Sequence, residues 1–495
     1  MATALRTIDA SEVVLEDAVV DAFRRRVRGP LIGPDDVGYD DSRRLWNAMI
    51  DKRPGLVLKP SGTADIIDAV RFARDHAISL SIRGGGHNIA GTAVTDGGLM
   101  LDLSGLRGIR VDPEARTVQV QPGCVWGDVD RETQTFGLAV PNGIVSETGV
   151  AGLTLGGGFG WTTRRYGYTS DNLLAADVVT ADGELRTASA AQNPDLFWGI
   201  RGGGGNFGVV TSFTFRAHPV GPEVFGGMLV YPMDRAAAVV DAFRALTTDA
   251  PDELSSLLVL RRAPPAPALP EVIHGEPVAI VAVSWTGPVD AGERQLGPLR
   301  RLGEPLADLI GAKPFRAIQS MLDAASPHGR RYYWKSDYFD ALPDEAAEVL
   351  IEQARAVTSP QSAVLFMHLG GAANRLPEAH SAAGPRDVRY VLNVQGSWLD
   401  PAESAVHIRW VRGFWRAMRP FASGRAYMNF FTADEDAERL REAYGDATHA
   451  ALARLKARYD PRNLFRLNQN IEPAPHDAVE ADGRRVGGSL TAEGG

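Results

Sequence analysis

The sequence predicts an α+β chain built in two parts, and three observations predict it. Residues 55–86 read as a strand, a helix and a second strand that runs into three consecutive glycines. The composition breaks at Pro219, Gly221 and Pro222. From about 223 to 420 strand-like runs (GGMLVYP, VAIVAVSW, AVLFMHLG, RYVLNVQGSW) then alternate with longer helical stretches at 234–246 and 401–418.

Size and composition bound the rest. The 495 residues are 44% hydrophobic and 23% charged, with 53 Gly and 31 Pro, which is chain for two or three domains and a sizeable core. Disorder, collagen and coiled coil do not fit those figures. A formal net charge of -9 argues against broad nucleic-acid binding through phosphate neutralisation. Arginine carries the positive charge, since the only lysines are Lys52, Lys59, Lys313, Lys335 and Lys456. The single cysteine, Cys124, excludes an internal disulfide and a multi-cysteine metal site. The ten histidines show no metal-ligand spacing, so no metal is expected. Met1 to Ser11 has no apolar stretch of signal length, and no apolar run reaches the roughly 18 residues of a membrane span. The expectation is a soluble cytoplasmic protein without membrane or nucleic-acid partners, as a monomer or homodimer.

Taken in order, 13–27 has helical apolar spacing, and GLVLKP (55–60) is a strand stopped by Pro60. The helix over SGTADIIDAVRFARDHA has Ser61 or Thr63 as its cap and Asp65 in its first turn. SLSIR (79–83), GLMLDL (98–103) and TVQVQP (117–122) are strands, with a helix over 125–136. Asp182-Gly183 between alternating apolar runs predicts a hairpin. Residues 264–270 (PPAPALP) read as a surface loop. The C-terminal part has a strand at RAYMNFF, a helix over 435–458, a polar motif, and an end without apolar periodicity from 472.

Three glycine loops carry the chemistry. In Arg83-Gly84-Gly85-Gly86-His87-Asn88-Ile89-Ala90-Gly91 the missing Cβ atoms let backbone N–H groups converge on an anion, with a histidine beside it. A tight turn with a surface histidine is the plainer alternative. The run from Gly149 through Val150 and Gly152 to Gly158-Phe159-Gly160 places backbone close to something flat or charged, or else packs helix on strand through small residues. In Arg201–Gly208, Gly203, Gly205 and Gly208 satisfy G-x-G-x-x-G, but a helix precedes and the strand beginning at Val209 follows. That order is the reverse of a nicotinamide-type dinucleotide fold. No lysine follows any of the loops, which excludes a P-loop, and no G-x-S-x-G supports a serine hydrolase. Together the loops point to an extended, anion-bearing ligand held mainly by backbone.

Residues 55–216 resemble the FAD-binding domain of the vanillyl-alcohol-oxidase/PCMH flavoprotein superfamily. The tail Tyr459-Asp460-Pro461-Arg462-Asn463-Leu464-Phe465-Arg466-Leu467-Asn468-Gln469-Asn470-Ile471 is similar to the closing motif of its berberine-bridge-enzyme-like branch. The resemblance implies a two-part FAD-binding domain of PCMH type (1–221, with the return at 425–475). It also implies an inserted substrate domain of antiparallel sheet and helices (222–424), with 476–495 as a tail. His87 matches the histidine that this branch bonds to the 8α-methyl of the flavin. The second, cysteinyl link of many relatives falls near Val145, so a single link is expected. The family pattern places the loop residues, Val209 and Asn468 at the cofactor. Tyr427-x-Asn429 resembles the pair whose tyrosine stands over the flavin and acts as base, its pKa to be lowered by Lys335 with Arg330 and Arg331 near it. Tyr332 and Tyr333 are weaker candidates for that base, and Tyr427 as a core aromatic is the alternative. Val150 corresponds to a position where a small residue admits O₂ to the flavin. The implied function is FAD-dependent oxidation of an alcohol, sugar or secondary-metabolite intermediate, with O₂ as the acceptor giving H₂O₂. A dehydrogenase with another acceptor and a non-catalytic ligand-sequestering flavoprotein remain open.

Overall fold

The computed structural model describes residues 2–266 and 269–475. The expected tail (476–495) and part of the 264–270 loop lie outside them. The architecture is α+β, and four elements of it position the site.

The first is a small sheet of Leu31–Ile32, Leu56–Leu58, Leu99–Asp102 and Leu80–Arg83, in that spatial order, whose last three strands run parallel. The helix Thr63–Asp75 connects Leu56–Leu58 to Leu80–Arg83 and buries Ile66, Ala69, Val70 and Ala73. Its cap is Gly62 rather than Ser61 or Thr63. Asp65 anchors the helix start instead, accepting from the backbone N–H groups of Arg28, Gly29 and Ser61 at 2.8–2.9 Å. The second element is an antiparallel sheet ordered Leu185–Ser189, Leu173–Val179, Val209–Arg216, Thr117–Val120 and Ile109–Asp112. The hairpin forms at Asp182-Gly183, where Gly183 takes φ +75°.

The third element is an eight-stranded antiparallel sheet. Its path runs Ala307–Asp308, Glu223–Pro232, Pro277–Trp285, Leu254–Arg262, Ala363–His368, Tyr390–Trp398 and Arg331–Phe339, with Gly311–Pro314 also paired to Glu223–Pro232. The helices Ala236–Thr248, Asp344–Arg355 and Ser404–Met418 cover one face, through Phe243, Leu350 and Phe414 against Leu258, Leu260 and Leu392. The other face presents Leu257, Val259 and Leu365 to Phe159, Tyr168 and Tyr427. Strands covered on both faces lose their apolar–polar alternation, which is why LSSLLVLRR reads as an unbroken apolar run.

The fourth element is the C-terminal return. The helix expected over 435–458 is two, Ala437–Tyr444 and Asp446–Tyr459, broken at Gly445 with φ +74°. Both pack onto the second sheet through Leu440, Leu452 and Leu455. Two further expectations are corrected. The segment 13–27 begins as a strand, Glu12–Glu16, paired with Ala2–Arg6, and turns helical only at Asp17–Arg26. RAYMNFF is not a strand: Met428–Phe430 is a 3₁₀ turn, because Phe430 N–H bonds back to the Tyr427 carbonyl and Phe431 N–H to that of Met428.

Candidate active site

All three glycine loops open onto one cavity. It lies between the two smaller sheets and the face of the large one opposite its three covering helices, and the closing motif borders it through Phe465, Leu467, Asn468 and Gln469.

Strand Leu80–Arg83 delivers the first loop. Gly84, Gly85, Gly86, His87 and Asn88 line the cavity, and Gly86 and Gly91 have φ +73° and +69°. Gly91 is away from the cavity, where a Cβ would fall 2.5 Å from Ile50 Cδ1. Arg83 holds the loop from behind, donating to the Ser42 carbonyl at 2.8 Å and standing 3.7 Å from the Asp102 carboxylate. Asn88 Oδ1 accepts from the N–H and hydroxyl of Thr92, both at 3.1 Å. His87 stacks on Trp46 (centroids 5.1 Å apart, planes 19°) and meets His328 edge-on. Burial pushes the imidazole pKa down to about 3, so it is neutral, and its buried Nε2 has no hydrogen-bond partner.

The second loop meets the first backbone to backbone at Gly149 and Gly85. Gly152 lines the cavity with nothing within 4 Å of a Cβ built on it, whereas a side chain on Gly156 would collide with Asn429. Gly158, at φ +81°, and Gly160 shape the turn around Phe159, and Gly160 N–H donates to Thr163 Oγ1 at 2.8 Å. Val150 does not face the cavity. It opens the helix Val150–Leu155 with its side chain fully buried among Val120, Cys124 and Trp126, so the expected opening for O₂ is not at this residue. Ile144, Val145 and Thr148 line the cavity instead. Cys124 lies in that same core, its thiol raised to about 12 by burial.

The third loop and the closing motif are stitched together. Asn206 donates to the Gln469 carbonyl and accepts from Ile471 N–H, both at 3.0 Å. Lys456, fully buried, donates to the Asn206 and Phe465 carbonyls at 2.8 Å and pairs with Asp460 at 2.8 Å. Gly205, Gly208 and Val209 line the cavity, and the nearest atom to a Cβ at Gly205 is Asn468 Nδ2 at 3.8 Å. Asn468 Oδ1 and Gln469 Nε2 are buried without partners. A glycine-walled cradle bordered by orphaned amide groups and by a neutral, unpartnered imidazole fits a long dinucleotide bound through backbone N–H groups.

Tyr427 stands on the wall beside the second loop. Its hydroxyl oxygen accepts from Asn429 Nδ2 at 2.8 Å and from Gly158 N–H at 3.2 Å, and its ring packs on Phe159 and Phe430. Both donors favour the phenolate, yet burial dominates and raises the pKa above the ordinary value of 10. Lys335 does not lower it, and that expectation is corrected. Along strand Arg331–Phe339 side chains alternate between faces. Trp334 faces the cavity, while Lys335 points the other way to Asp434 (3.2 Å) and Glu435 (2.5 Å). Arg331 bonds Ser404, Arg330 the Ala325 carbonyl, and Tyr333 Asp434, none of them at Tyr427. Tyr332 stacks on Trp46 at 3.7 Å. Trp126, Trp161 and Trp398 are core residues.

Sequence reasoning missed the roof, where Arg261, Gln395, Trp334 and Phe430 line the cavity. A charged residue closing an apolar strand, as in LSSLLVLRR, was the available signal for Arg261. Among the described residues no cluster of His, Cys, Asp or Glu is set to hold a metal ion, and no helix is long and apolar enough to cross a membrane.

Comparison with known proteins gives two family matches, an FAD binding domain over residues 54–189 and a berberine and berberine-like domain over 426–472. The chain is 30% identical to an FAD-linked oxidoreductase of Dictyostelium discoideum over 92% of this chain and 97% of that protein. It is also 30% identical to (R)-6-hydroxynicotine oxidase of Paenarthrobacter nicotinovorans, over 90% and 97% of the two chains. Its fold matches BBE-like 1 of Physcomitrella patens with a TM-score of 0.82 at 22% identity, covering 92% and 99%.

Proposed function

The chain belongs to the FAD-linked oxidoreductases of the berberine-bridge-like branch of the vanillyl-alcohol-oxidase/PCMH superfamily, and on that ground we propose that it is an oxidase of a small, flat, largely apolar molecule. FAD, its cofactor, supplies the two-electron acceptor, which we read as regenerated by O₂ with release of H₂O₂. We assign the glycine loops and the orphaned amides of Asn468 and Gln469 to holding that cofactor, and His87, through its neutral imidazole, to a single covalent link with it. In the same reading, 1–221 with 425–475 hold the cofactor and 222–424 roof the substrate.

The observation that carries the catalytic assignment is the pair of donors on Tyr427 Oη. They occupy the oxygen from the protein side, so that once Tyr427 is ionised its remaining lone pair is free to accept from a substrate hydroxyl or amine. As the substrate C–H bond gives up its hydride, the heteroatom proton passes to Tyr427 Oη, and Asn429 Nδ2 with the Gly158 N–H stabilises the anionic form that receives it. Trp46, Phe159, Trp334, Phe430 and Leu365 give the cavity an apolar, aromatic wall. Such a wall offers few partners for the many hydroxyls of a sugar and favours ring-bearing substrates. The relative named for oxidising (R)-6-hydroxynicotine agrees with that preference. The test is anaerobic mixing of the flavin-containing protein with aromatic secondary alcohols and cyclic amines, each with and without a ring carboxylate, followed by air. Bleaching without oxygen and one H₂O₂ per substrate consumed are expected. Bleaching that oxygen does not reverse would make the protein a dehydrogenase.

A further inference from the structure

Arg261 is 7% exposed, yet no carboxylate of the described residues pairs with it. Its Nε donates to the Arg262 carbonyl at 3.0 Å, and the nearest charge that acts on it is another cation, Arg330. Arg261 lines the cavity, and its guanidinium makes no other hydrogen bond among the described residues. A buried cation without a counter-ion is unfavourable unless something else supplies the negative charge.

The sheet register shows what surrounds it. Arg261 is directly opposite Ala363, Ala363 is opposite Gln395, and Gln395 is opposite Trp334. These four residues form one rung across four adjacent strands, and all four line the cavity. Ala363 is the small member, so it leaves a recess in the rung between a guanidinium and an amide. The Gln395 side chain makes no hydrogen bond among the described residues. In the next rung Val259 stands opposite Leu365, an apolar pair that also faces the cavity, and the rung continues into Asn393 and Ser336, which are buried and outside the cavity lining. A planar cation and a carboxamide flanking a methyl-sized gap, with an indole at the end of the row, match a planar anionic oxygen group attached to a ring.

We infer that the substrate carries an anionic oxygen group, of carboxylate type, and that Arg261 and Gln395 bind it in the roof of the cavity. The inference rests on the reading of this cavity as the substrate site. It makes Arg261 a specificity residue, with Tyr427 acting on the far, uncharged part of the molecule. The neutral sugars and simple alcohols that the same scaffold could hold would leave the guanidinium uncompensated, and the site discriminates against them for that reason.

The test titrates the purified flavin-containing protein with benzoate, cinnamate and indole-3-acetate and with the corresponding neutral amides. Two signals are read, the flavin difference spectrum and tryptophan fluorescence, since Trp46 and Trp334 line the cavity. At least one carboxylate is expected to bind about tenfold or more tightly than its amide. Arg261→Met brings the two within about twofold, Arg261→Lys retains part of the difference, and Gln395→Leu weakens carboxylate binding by a smaller factor. Equal binding of acids and amides by the unmodified protein, including no saturable binding of any acid, overturns the inference. Retention of the full preference by Arg261→Met does so too. Should that variant not fold, an unchanged preference in both Arg261→Lys and Gln395→Leu has the same force. Protein that purifies without flavin would defeat the oxidase reading alone, because the fluorescence signal still reports the preference.

Discussion

Gly85 and Gly149 pack main chain on main chain. A Cβ on Gly85 would fall 2.5 Å from Gly149 Cα, and a Cβ on Gly149 would fall 2.6 Å from Gly85 N. The contact joins the loop that carries His87 to the helix that borders the cavity, so the spacing of the two walls is set where neither residue can have a side chain. Gly85→Ala is therefore expected to force the loops apart, at about 1–3 kcal/mol of stability, and to abolish flavin retention. Gly152→Ala makes the contrasting case, since its Cβ enters the cavity and meets no protein atom within 4 Å. In flavin-free protein it should leave the melting temperature unchanged or slightly raised, by up to about 1 kcal/mol of helix propensity, while flavin uptake falls. Equal loss of stability in the two variants would count against this division.

His87 is neutral, stacked on Trp46 and unpartnered at Nε2, the state an imidazole needs to form a bond to carbon. His87→Ala should release yellow flavin into the supernatant on acid precipitation, whereas the unmodified protein should keep it in the pellet. Colour in the pellet of the variant would place the attachment elsewhere.

The parts legible in the sequence were those with unusual composition. Three consecutive glycines before His87, the small-residue run from Gly149 to Gly160 and the tail from Tyr459 to Ile471 stand out because few other uses tolerate such backbones. What escaped depends on strand phase and three-dimensional neighbours. Trp334 and Lys335 are adjacent in sequence and face opposite sides of a sheet, and nothing local says which of them meets the cavity. Val150 shows the same failure one helix start away, since a residue between two cavity-lining neighbours, Gly149 and Ala151, turns wholly into the core. Arg261 and Gln395 are 134 positions apart and become neighbours only through Ala363.

Tyr427 gives a pH prediction with a definite sign. Its folded-state pKa lies above 10, raised by burial, so at neutral pH the hydroxyl keeps its proton and only a small fraction is competent to accept another. Flavin reduction by a substrate without its own titration is expected to rise with pH across 7–10, approaching tenfold per unit, with no plateau below 10. Tyr427→Phe should lower the rate by about 100-fold and flatten that rise, with the flavin spectrum retained. Asn429→Leu removes the 2.8 Å donor and should shift the profile further alkaline. A rate independent of pH over this range would remove Tyr427 as the base.

Lys335 is structural, and its removal should show it. The ammonium is buried, paired with Asp434 and Glu435, and lies over the rings of Tyr333 and Trp415 at 5.7 and 5.5 Å. Lys335→Ala leaves Glu435 without its cation while Asp434 keeps Arg412 at 2.7 Å, and is expected to cost about 1.5–3 kcal/mol. The rate of flavin reduction per folded, flavin-bearing molecule should stay within about twofold of the unmodified protein. A selective fall in that rate at unchanged stability would return Lys335 to the chemistry.

Asp130 sets the alkaline side of the stability profile. It lies on the helix Trp126–Gln134, wholly buried, with Asn142 Nδ2 donating to Oδ1 at 3.0 Å and no partner for Oδ2. Burial pushes its carboxyl up to about 8, against about 3.9 in an unfolded chain. Between pH 4 and 8 the folded state therefore holds a proton that the unfolded state has lost, so stability falls as pH rises through that window, by at most about 1.4 kcal/mol per unit from this group. His368 and His218 act in the opposite sense. Burial lowers them to about 2 and about 4, so the unfolded chain gains protons first and stability falls as pH drops below about 6.5. Asp130→Asn keeps an acceptor for Asn142 and removes the titration. Melting temperatures measured from pH 5 to 9 should show the variant gaining on the unmodified protein steadily up to pH 8, with the smallest difference at pH 5. A difference that stays constant across the range would mean that Asp130 does not titrate as its burial requires.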